Sequence, residues 1–112
     1  MAKLEKTLSG DIEHIALSVQ QGILRGSISA TLEDSSRFYG TDGSRCIVMV
    51  FERYSWLGSN RLSLNVTLFS PSGGPVMLSA ISSGGSQAMF IKFNTFGEEA
   101  FLSKLEEVLS YI

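Results

Sequence analysis

Apolar residues recur at helical spacing over residues 10–25, alternate with polar ones from about residue 27 to 94, and return to helical spacing through residue 112. That switch of period predicts an α+β chain, whose strands carry a dry face that a helical layer must cover. Leu4, Lys6 and Leu8 alternate with Lys3, Glu5 and Thr7 as a short first strand. Ile12, Ile15, Ala16, Val19 and Ile23 then form one helical stripe, with Ser9 or Asp11 placed to cap its start and Gly26 to end it. Leu17 and Leu24 lie a third of a turn away and widen the apolar face.

From residue 27, Ile28, Ala30 and Leu32 alternate with Ser27, Ser29, Thr31 and Glu33, predicting a strand that ends before a turn over 34–44. The Asp42-Gly43 pair in that turn tolerates positive φ. Residues 45–54 differ in kind. Cys46, Val48 and Val50 occupy one parity and Ile47, Met49 and Phe51 the other, so this strand is expected to be central and covered on both sides. Residues 61–70 alternate cleanly, with Leu62, Leu64, Val66 and Leu68 inward and Phe69 breaking the polar face. After a Pro/Gly turn over 70–75, Val76, Leu78 and Ala80 oppose Met77, Ser79 and Ile81. Residues 87–94 supply a further strand, and Thr95 and Glu98 have capping-box spacing ahead of a helix striped by Phe101, Leu105, Val108 and Ile112.

The expected order is β-α-β-β-β-β(-β)-α in a single domain over residues 1–112. Four to six antiparallel strands would be packed on one face by an N-terminal and a C-terminal helix. This is similar to a helix-grip or TATA-binding-like arrangement, with a small rolled barrel as the alternative.

A formal charge of -2, with five Arg, four Lys and no basic run, removes electrostatic steering toward nucleic acid or an anionic membrane. No stretch approaches the roughly 20 apolar residues of a spanning helix. The first residues hold no apolar core of signal-peptide length. The single Cys46 can form no intrachain disulfide, which fits a reducing compartment, and the expectation is a cytoplasmic protein.

Catalytic chemistry finds no constellation. His14 is the only histidine and has no acid or nucleophile at useful spacing on its helix; it reads as an exposed helix residue. One His, one Cys and scattered carboxylates form no recognisable metal set, and no cofactor is implied. More informative is the connection carrying Tyr54, Trp56, Leu57 and Arg61, where aromatic surface beside a cation must either cap the core or meet another molecule.

The whole pattern, from the short first segment and the 11–25 helix through the serine-rich strands to the 95–112 helix, resembles small uncharacterised bacterial proteins grouped as a domain of unknown function. That resemblance implies no enzyme class. Two functional readings follow from the residues. In the first, Ile47, Met49, Phe51, Phe69 and Ile81 place apolar matter on the outer sheet face, for a homo-oligomer, a dimer before any larger assembly, or another protein partner to cover. In the second, a small apolar or aromatic-acid ligand lies between the last helix and the sheet, walled by Phe93, Phe101 and Leu105 with Tyr54 or Arg61 at its mouth.

Overall fold

The computed structural model describes residues 2–26, 29–55 and 60–84, together with Leu105, Leu109 and Ser110. The chain runs through β1 (Ala2–Leu8), α1 (Ile12–Gly26), β2 (Thr31–Tyr39), β3 (Arg45–Ser55), β4 (Asn60–Ser70) and β5 (Val76–Gly84). The strands form one sheet in the order β1-β5-β4-β3-β2, and every neighbouring pair is antiparallel. β1 and β2 therefore run in the same direction at opposite edges. A tight turn cannot join such strands, so α1 carries the chain across the sheet and three hairpins bring it back. Among the described residues the two edge strands do not pair with each other.

Asp11 is the cap: its Oδ2 accepts the His14 N–H at 3.0 Å, and the Asp11 carbonyl accepts the first helical bond from Ile15. The Ile12, Ile15, Ala16, Val19 and Ile23 stripe is buried against the sheet. A second tie fixes the helix start to the far edge. The Arg37 guanidinium on β2 donates to both Glu13 carboxylate oxygens at 3.1–3.2 Å.

Ile47, Met49 and Phe51 on β3, Leu62, Leu64, Val66 and Leu68 on β4, and Val76, Leu78 and Ala80 on β5 make the sheet side of the core. Leu105 and Leu109 join it with helical backbone. The strand expected over 87–94 and the rest of the helix expected over 95–112 lie outside the described residues.

Two expectations are corrected. β2 runs from Thr31 to Tyr39, so residues 34–39, expected in a turn, are strand, and the turn is confined to 40–44. Residues 33–39 are exposed at an edge, with no buried face to impose alternation, and a register shift between Leu32 and Asp34 inverts their parity. Pairing with β3 makes this segment a strand. The second correction concerns β3. Ile47, Met49 and Phe51 face the helix layer rather than the outside, because they pair directly with Leu68, Val66 and Leu64, and paired residues share a face.

Candidate functional site

Among the described residues, the other face of the sheet is left uncovered. Register places its side chains in rows that cross all five strands. One row holds Thr7, Met77, Phe69, Cys46 and Phe38. The next holds Glu5, Ser79, Thr67, Val48 and Ser36, and the third Lys3, Ile81, Asn65, Val50 and Asp34. The first row is nearly all apolar and lies near the 40–44 and 71–75 turns. Phe38 is 61% exposed, Met77 45%, Phe69 39% and, in the third row, Ile81 38%. Cys46, Val48 and Val50 are half-buried between them, and Cys46 is a free thiol. The first row, continued along β3 by Val48 and Val50, forms a contiguous apolar band, the arrangement that marks an interaction surface, while Ile81 stands apart with Lys3, Asn65 and Ser79 as its neighbours.

The band is not flat. A shallow groove of about 360 Å³ opens over β5, between β1 and β4, and is lined chiefly by Glu5, Thr7, Thr67, Phe69, Met77 and Ser79. Phe38 stands at the other side of the same face, on the edge strand β2.

At the opposite end of β3 and β4, Tyr54 and Arg61 are register partners on this face, and Tyr54 is half exposed. Arg61 Nη1 donates to Glu52 Oε1 at 2.7 Å, so its charge is already engaged one row away. The Ser29 hydroxyl accepts the Tyr54 N–H at 3.1 Å and donates to the Tyr54 carbonyl, closing the strand end where β2 has not yet begun. Trp56 and Leu57 lie outside the described residues, as do Phe93 and Phe101. Leu105 is buried in the helix-side core, so the sheet stands between it and the Tyr54–Arg61 pair.

Arg53 points to the helix side, and burial lowers its guanidinium pKa from the ordinary value. Hydrogen bonding to Glu13 raises that of Arg37. Asp42 accepts the Ser44 N–H and hydroxyl, which lower its carboxyl pKa and close the β2–β3 turn. Among the described residues no three His, Cys, Asp or Glu side chains gather as a metal site, and His14 is exposed on the helix.

The outer face therefore carries Phe69 and Ile81, as the sequence predicts, but the band around Phe69 is made by Phe38, Cys46, Met77, Val48 and Val50. Met77 is missed, and Phe38, expected as an aromatic of the 34–44 turn, is missed as a member of this row, because single alternating strands do not reveal which residues line up across them. The β3 parity error has the same source.

The sequence model of a family of unknown function, DUF6054, matches residues 1–112. The chain belongs to DUF6054. This agrees with the resemblance to a domain of unknown function drawn from the order of segments. Comparisons with curated proteins and with solved structures returned no match for this DUF6054 chain. Its site is thus defined by geometry alone: an open, apolar, grooved sheet face.

Proposed function

We propose that this is a homo-oligomerising domain without catalytic activity, and that a second copy covers the open sheet face. The observation that carries the reading is the row of Phe38, Phe69 and Met77, with Ile81 two rows away, all exposed on the face that α1 does not cover. Burying apolar side chains of this size yields about 1.5–3 kcal/mol each when complete, so leaving four partly wet is costly unless something meets them.

Area supports the reading as well. Five strands at about 4.8 Å spacing and about nine residues at about 3.3 Å rise make a face of roughly 700 Å². Two such faces would remove about 1,400 Å², inside the range of about 1,200–2,000 Å² for stable specific interfaces. The sheet edges are poorer candidates. β2 is polar and carries a register shift, while β1 presents Lys3, Glu5 and Lys6, the devices that discourage edge-to-edge pairing. A strand and helix leading into a four-stranded meander support the likeness to helix-grip and TATA-binding-like arrangements. A lone cysteine fits a reducing cytoplasm.

Less supports a small apolar or aromatic-acid ligand between the C-terminal helix and the sheet. Leu105, one proposed wall, is fully buried in the core, and Tyr54 and Arg61 sit on the other side of the sheet.

The test is sedimentation across a concentration series with Phe69→Asp beside the wild type. The wild type is expected to be dimeric at micromolar concentration and the variant monomeric with an unchanged circular dichroism spectrum. A wild type that stays monomeric at every concentration overturns the proposal.

A further inference from the structure

We infer that two copies pack face to face about a twofold axis running along β4, so that Lys3 of each copy meets Asp34 of the other. This rests on the self-association reading and adds the geometry of the pair. β4 is the middle strand of the five. A twofold axis parallel to β4 keeps each row at its own level and exchanges its two ends. In the third row, Lys3 on β1 then lies over Asp34 on β2 of the other copy, Ile81 over Val50, and Asn65 over Asn65. In the first row, Met77 lies over Cys46, Phe69 over Phe69, and Phe38 over Thr7.

Two features of the face match under that operation. The charges at the row ends are of opposite sign, Lys3 at one edge and Asp34 at the other. The relief also matches: Phe38, the most exposed residue of the band, projects at the β2 edge, and the groove beside Thr7 and Met77 lies toward the β1 edge. The axis brings each Phe38 over Thr7, on the β1 rim of the other copy's groove. Aligned sheets cross at about 30°, which displaces an edge strand roughly 10 Å from the axis by about 5 Å, within the reach of a lysine side chain.

Within one copy, among the described residues, Lys3 reaches only Glu5, at 4.0 Å, and Asp34 accepts the Ser35 N–H at 2.8 Å. Four strand spacings, about 19 Å, separate the β1 and β2 edges, so the two charges are screened from each other inside a single chain. Any coupling between them arises across copies.

The experiment uses the full chain carrying Lys3→Asp, Asp34→Lys, or both, with dimer dissociation constants from sedimentation at low salt and circular dichroism as the folding control. Each single reversal sets like charges against each other at both symmetric contacts and is expected to weaken the dimer about tenfold. The double variant should return to within about threefold of wild type. An equimolar mixture of the two single variants should form heterodimers in preference to either homodimer, because both contacts are then of opposite sign. Failure of the double variant to recover, or random mixing of the singles, overturns the twofold arrangement even if Phe69→Asp abolishes the dimer. A wild type that is monomeric overturns the self-association reading as well.

Discussion

Ser82 is fully buried on the helix side of β5, beside Leu64 across the sheet, and its hydroxyl has no hydrogen-bond partner among the described residues. A buried hydroxyl without a partner has lost its water and gained nothing in return. Ser82→Ala removes the oxygen and leaves nearly the same volume. The variant is therefore expected to be more stable by about 1 kcal/mol, seen as a rise of several degrees in thermal unfolding. A fall in Tm would mean that the hydroxyl holds something in place. Read in sequence alone, Ser82 is one more polar residue in a serine-rich run, and its burial follows only from pairing with a leucine strand. Gly84, at φ +120, is fixed in the same indirect way: a Cβ there would come within 2.7 Å of the Arg61 carbonyl oxygen. No residue but glycine fits that approach without the backbone moving.

At the scale of elements, α1 is the part most fully legible in the chain. Its five-residue stripe, its Asp11 cap and its end at Gly26 all follow from spacing and local chemistry, because a helix makes its own hydrogen bonds. Asp11→Ala leaves the first-turn His14 N–H unpaired and is expected to cost about 1 kcal/mol, measured by urea unfolding. No change in midpoint would show that Ser9 or water replaces the carboxylate. β2 is the contrasting case. Its seven residues from Glu33 to Tyr39 are all exposed, so no pattern distinguishes strand from turn. Its hydrogen bonds come from β3, and the Arg37–Glu13 pair ties it to the helix. Both side chains of that pair are more than a third exposed, so it positions the edge more than it stabilises it.

For the molecule as a whole, the consequential feature is that its two sheet faces are unlike. Among the described residues, one is sealed by α1, Leu105 and Leu109, and the other is open with an apolar band. Cys46 reports on that open face, since it is half-buried in the first row between Phe69 and Phe38. Its labelling by a maleimide is expected to slow as protein concentration rises through the dimer range, and to become independent of concentration in Phe69→Asp. A rate that is constant in the wild type would mean that the partner does not cover this row. The measurement needs no assumption about the twofold axis and so checks the covered face separately from its geometry.

The sequence by itself determined the class of fold, the α1 stripe, the inward faces of β4 and β5, and the outward placement of Phe69 and Ile81. Each is set by a period of two or 3.6 residues, a local property that burial of one face imposes on the chain. Tertiary structure decided the strand order, the extent of β2, and which of the two apolar parities of β3 faces the helix. It also aligned Phe38, Cys46, Phe69 and Met77 into one row and put Lys3 and Asp34 at opposite ends of another. The physical reason is that a strand's neighbours are chosen by hydrogen bonds and packing from distant parts of the chain. Where both faces are apolar, as in β3, or neither is, as in β2, only those neighbours can say which side is inside.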